Sequence, residues 1–134
     1  MKILALSDEV VDVVYSPHAK ERFTDIDLVV GCGDLPFYYL EFVVTALGKP
    51  LLYVHGNHDR PMQYLSDGRV VHTAEGCLPI EDQTCKAPDE RWGPLLLAGL
   101  GGCLRYNDNN VHQYTQGEMH RRGLALAPRL LFNR

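Results

Sequence analysis

The chain has 134 residues, 46% of them hydrophobic, with a formal net charge of -4 and a pI near 5.8. That is enough for one domain around one core; it excludes a disordered chain and argues against a surface that tracks nucleic-acid phosphates. No basic leader and no apolar run of about 20 residues is present, so no membrane association is expected, and a cytoplasmic protein with reduced thiols is.

"KILALS" (2–7) reads as a short buried strand. "SPHAKERF" (16–23) reads as a helix, with Ser16 as N-cap and Pro17 at the first helical position. "DLVVG" (27–31) is a second apolar strand, and "PFYYLEFVVTALG" (36–48) a helix with Pro36 near its start and Gly48 at the C-terminal cap. "PLLYVH" (50–55) is a third strand. Strand, helix, strand, helix, strand with short loops is the pattern of parallel βαβ units. The apolar runs are nearly continuous, which predicts an α/β fold: a mainly parallel β-sheet with helices covering both faces.

Further along, "RVVHT" (69–73) and "PLLLAGL" (94–100) read as strands separated by a polar loop or hairpin, 81–93. "RYNDNNVHQYT" (105–115) reads as an exposed loop. Thr115 and Glu118 form a T-x-x-E capping box that opens a helix, which Gly123 and Pro128 should weaken or bend. The four cysteines, Cys32, Cys77, Cys85 and Cys103, have no C-x-x-C spacing, which argues against a zinc ribbon or a thioredoxin-type site.

The chemistry gathers at the strand ends. Ser7-Asp8 follows the first strand, Gly33-Asp34 the second, and Gly56-Asn57-His58-Asp59 the third. In an open parallel sheet these ends share one edge, where ligands bind. Two carboxylates brought together there need a proton or a cation between them. Oxygen donors from Asp8, Asp34 and Asn57, with His58 nearby, suit a divalent Mn, Fe or Zn ion. Taken singly, each has a simpler reading: Asp8 as a cap or loop residue, Asp34 as the cap of the next helix, and Asn-His-Asp as a turn. A dinucleotide-binding module is the first rival, since Gly31-Cys32-Gly33 and Gly99-Leu100-Gly101 each follow a strand. Both fail at the third glycine of G-x-G-x-x-G, where Pro36 and Leu104 stand.

"LALSD", "VVGCGDLP" and "YVHGNHD" resemble the first three signature blocks of the calcineurin-like metallophosphoesterases, D-x-H, G-D and G-N-H-D. The resemblance covers roughly residues 1–60, with "LLLAGLGGCLRY" (95–106) a looser match to the family's middle strand. It implies metal-dependent hydrolysis of phosphate mono- or diesters on a two-sheet αββα sandwich. In that reading Asp34 bridges up to two metal ions, Asp8 holds one and Asn57 the other. His58 then stabilises or protonates the leaving oxygen while Asp59 orients its imidazole. Two departures stand out. The first block ends in Val10 where the family has His, and no G-H-x-H occurs. His112 and His120 match neither later family histidine, and His55 reads as a packed strand-end residue. The resemblance therefore implies one domain, 1–134, as the N-terminal half of such a sandwich. The competing expectation is a non-catalytic binding or regulatory module, or a half-enzyme that self-associates.

Overall fold

The computed structural model describes residues 1–60, 62–64, 67–87, 93, 95–107 and 111–132. In chain order its elements are β1 (Ile3–Leu6), α1 (Ala19–Arg22), β2 (Leu28–Gly31), α2 (Phe37–Leu47), β3 (Leu51–Tyr53), β4 (Gln63–Tyr64), β5 (Val70–Val71), β6 (Leu78–Pro79), β7 (Thr84–Lys86), β8 (Leu96–Ala98), β9 (Cys103–Leu104), β10 (Gln113–Tyr114) and α3 (Gln116–Phe132).

The three predicted apolar runs form β1, β2 and β3, which pair in parallel in that order, with β6 added beside β3. Side chains alternate across a strand, so each run supplies two faces. Leu6, Val29, Leu51 and Tyr53 pack with Ala19 of α1 and with Phe37, Tyr39, Leu40, Val43 and Leu47 of α2. Leu28, Leu52 and Ile80 point the other way and meet Cys85 of β7 and Leu97 of β8. The expected helices on both faces are thus replaced on one side by an antiparallel hairpin, β7 with β8. α3 in turn packs against β7, β8 and β10. The hairpin covers apolar surface as a helix would, and satisfies its own backbone groups in doing so.

α2 follows its sequence signals. Pro36 precedes it in extended conformation, and Gly48 ends it with φ 60°, its N–H donating to Val44 O at 3.0 Å. A left-handed C-terminal cap is where glycine carries no Cβ penalty. The helix expected over 16–23 contracts to α1. Ser16 is used for a turn instead: its Oγ accepts the His18 N–H at 3.2 Å and its carbonyl the Ala19 N–H at 3.0 Å. Short hydroxyl side chains compete with the helix in this way.

The second half departs further. The strand expected over 69–73 shrinks to β5, paired antiparallel to β4 and outside the parallel sheet. β6 had no sequence signal, because a two-residue strand ending in proline has no readable alternation; its place at the sheet edge suits a residue without an N–H. Within 81–93, β7 forms one arm of a hairpin, while 88–92 lie outside the described residues, as does 94 of the expected strand over 94–100. The expected loop over 105–115 contains β10, parallel to β9, and Gln113 there is 4% exposed. Residues 108–110 of that loop are outside the described set. The capping box forms as expected: Thr115 N–H donates to Glu118 Oε2 at 2.7 Å and Glu118 N–H to Thr115 Oγ1 at 3.3 Å. α3 runs on through Gly123 and Pro128, its packing against three strands offsetting a proline cost of about 3 kcal/mol. No helix among the described residues is long and apolar enough to cross a membrane.

Candidate functional site

The turns after β1, β2 and β3 lock into one another. Asp8 N–H donates to Gly33 O at 3.2 Å, which ties the first turn to the second. Asp59 Oδ2 accepts the Asp34 N–H at 2.9 Å and the Gly56 N–H at 2.8 Å, and Asp34 Oδ1 accepts the His58 N–H at 2.8 Å. The second and third turns are therefore cross-braced by two carboxylates acting on backbone amides. Their backbones touch: a Cβ on Gly33 would sit 2.7 Å from Gly56 Cα, and one on Gly56 would overlap the Asp34 carboxylate. Gly33 also has φ 98°, so both closeness and conformation call for glycine there.

Asp8 (φ 65°) and Asp34 (φ 57°) both adopt the left-handed region, shared among non-glycine described residues only with Asp82 and His112. Aspartate tolerates that region better than most, and such conformations gather at sites the surrounding structure over-determines. Asp34, His58 and Asp59 line a cavity of about 270 Å³ together with Pro36, Arg60 and Gln63. Gln63 of this lining also caps the start of α2, its Oε1 accepting the Phe37 N–H at 3.2 Å. Asn57 Nδ2 donates to the Tyr106 hydroxyl at 3.0 Å, which leaves Asn57 Oδ1 without a partner among the described residues.

One expectation needs correction. Asp59 does not orient the His58 ring; its carboxylate holds two backbone amides, and the imidazole of His58 is exposed. Val10, which stands where the resembled family has His, is half-buried against the α1–α2 core. Asp8, Asp34 and Asn57 thus arrive at one sheet edge on interlocked turns. Even so, among the described residues no three His, Cys, Asp or Glu side chains group in a way that could hold a metal ion.

A second polar cluster lies beside the first. Glu81, just after β6, accepts from His55 Nδ1 at 2.8 Å; its other oxygen lies 3.8 Å from His112 Nδ1 and 3.5 Å from Arg122 of α3. The two imidazoles stack with centroids 5.5 Å apart and planes 7° from parallel. Both Nε2 atoms are buried without a hydrogen-bond partner among the described residues. Arg122 also pairs with Asp82 at 2.9 Å, donates to Gly101 O at 2.9 Å and covers the Tyr114 ring at 3.9 Å. The hydrogen bond to Glu81 raises the His55 pKa above its ordinary value against the opposing effect of burial, and the same bond holds the Glu81 carboxyl low. His55 is packed as expected, against Phe37 and Tyr53, yet it also carries an ion pair that its place in an apolar strand did not suggest. Glu81, Arg122 and Tyr106 escaped the sequence reading. Their partners lie 26, 41 and 49 residues away in sequence, and only the adjacent acids Glu81-Asp82 after an apolar run hinted at a site.

No protein-family model matches the chain, and no curated protein or solved structure matches it.

Proposed function

We propose that the chain is a metal-dependent phosphoester hydrolase of the calcineurin-like metallophosphoesterase type, its α/β unit the first half of an αββα sandwich. The observation that supports this reading is the cross-bracing of the three turns that carry Asp8, Asp34 and Asn57-His58, with Asp34 and His58 lining an open cavity there. The donor chemistry fits a hard divalent ion. Asp34 keeps Oδ2 free, Asn57 keeps Oδ1 free, and Asp8 is exposed with no side-chain partner among the described residues. Two carboxylates and one amide make an open site that water must complete, and of Mn, Fe and Zn such an all-oxygen set favours Mn. A bound ion supplies Lewis acidity, polarising a phosphoryl oxygen and lowering the pKa of a water.

The chain's own groups do the rest. Asp34 and Asp8, at the ends of two strands, and Asn57, at the end of a third, would hold the ion. As water attacks phosphorus in line and the bond to the alcohol breaks, His58 stands exposed to give a proton to the leaving oxygen. Arg60, which has no ion-pair partner among the described residues, lines the same cavity and supplies positive charge for phosphoryl oxygens. Asp59 keeps the third turn closed on the second.

The absence of a group of three His, Cys, Asp or Glu side chains among the described residues, together with Val10 packed in the core, favours a second reading: a metallophosphoesterase-like module that binds without turnover. The deciding experiment is turnover of an aryl phosphate monoester and diester with added Mn, beside an Asp34→Asn control. Slow Mn-dependent turnover that the substitution abolishes is expected. Binding of Mn without turnover selects the second reading, and activity that survives Asp34→Asn overturns the proposed site.

A further inference from the structure

Tyr106 is 62% exposed, yet the segment carrying it is anchored from several sides. Gly102 N–H donates to His55 O at 2.8 Å, drawing the segment to the end of β3, and Arg105 N–H donates to Tyr114 O at 2.9 Å. Gln113, the buried polar residue of β10, turns its Oε1 to the backbone amides of Tyr106 at 3.3 Å and Asn107 at 3.4 Å. An interior amide is spent on fixing the backbone beneath a solvent-exposed phenol. The phenol oxygen then accepts the Asn57 Nδ2–H at 3.0 Å.

We propose that Tyr106 is a positioning residue for Asn57. This rests on the hydrolase reading above, in which Asn57 Oδ1 is a ligand. A primary amide has two unlike ends, and only its oxygen can serve a cation. With Nδ2 committed to a hydroxyl acceptor, the oxygen is the end turned free, and the rotamer is set before an ion arrives. Partners that hold a ligand in this way typically govern metal affinity by 10–100-fold. The hydroxyl, rather than the ring, is the working part.

The test is calorimetric titration of the full chain with Mn, comparing wild type, Tyr106→Phe, Asn57→Asp and the double variant, with Asp34→Asn as a control on the site itself. Tyr106→Phe is expected to weaken Mn binding by about 10–100-fold while leaving the thermal midpoint unchanged. Aspartate offers two equivalent oxygens and needs no such orientation. In the Asn57→Asp background the same substitution should therefore change affinity by no more than about twofold, the scatter of independent sites. Tyr106→Phe binding Mn as tightly as wild type, or losing equal affinity in both backgrounds, overturns the role of Tyr106. If Asp34→Asn still abolishes binding, the hydrolase reading survives that outcome. A folded wild-type chain that binds no Mn overturns both.

Discussion

A methyl group at position 56 would fall on the carboxylate and the backbone nitrogen of Asp34. Gly56→Ala must therefore push the second and third turns apart, at a cost of about 1–3 kcal/mol in urea denaturation. Gly48→Ala meets open space and only a left-handed φ of 60°, and should cost about 1 kcal/mol. If position 48 proves the more sensitive, close packing of the turns is not what requires Gly56. His58 makes a chemical prediction instead. Its backbone N–H serves Asp34 while its ring stays exposed, so His58→Ala should leave stability nearly intact. Esters with poor leaving groups should lose on the order of 10²–10⁴-fold in rate, and activated aryl esters far less. Equal losses on both would reassign His58 to folding or metal binding. Glu81 belongs to the same scale. Its stabilising bond to His55 is present above the carboxyl's ordinary pKa of 4.5 and is lost as pH falls through the lowered folded value. The His55 side of the pair is fully present below 6.5 and is lost as pH rises through the raised folded value. Glu81→Gln should cost about 2–3 kcal/mol. The gap in thermal midpoint from wild type should be widest between pH 4.5 and 6.5 and narrow on both sides. A gap that stays constant with pH would show that shape, rather than charge, makes Glu81 matter.

Among the elements, α3 gives the sharpest test of local coding. Thr115→Ala removes the hydroxyl that accepts the Glu118 N–H and should cost about 1 kcal/mol, whereas Thr115→Ser should cost little. Equal losses from the two would locate the stability of α3 wholly in its packing. The elements that sequence alone revealed, β1 to β3, β8, α2 and α3, with β5 as the remnant of a longer expected strand, are those with apolar runs or capping residues at fixed offsets. The elements it hid are two residues long. β4, β6, β9 and β10 offer no window in which period 2 can be told from chance, and their pairing is decided by where the larger elements leave backbone groups to satisfy. The candidate site divides along the same line. Asp8, Asp34 and Asn57 were legible because each stands just after a readable strand. Tyr106 was not, because its bond to Asn57 spans 49 residues.

Across the whole molecule, stability should be uneven. The α1–α2 side of the sheet buries a large cluster that includes Tyr39, Leu40 and Val43, whereas the hairpin side holds Leu28, Leu52 and Ile80 with half-buried neighbours. Amide hydrogen exchange should therefore be slowest in β2, β3 and α2 and fast in the β4–β5 and β9–β10 pairs, with β7–β8 between them. Uniform protection would mean that the hairpin and α3 open only with the sheet. The order of the parallel sheet, β1-β2-β3-β6, has one more consequence. Chain order and spatial order coincide, so no late strand has to be wedged between two earlier ones. As the polypeptide leaves the ribosome, N-terminus first, the partner of every new parallel strand has been synthesised before it. The turns that carry Asp8, Asp34 and Asn57 can therefore close on one another in the order of translation, without needing the segment that brings Tyr106.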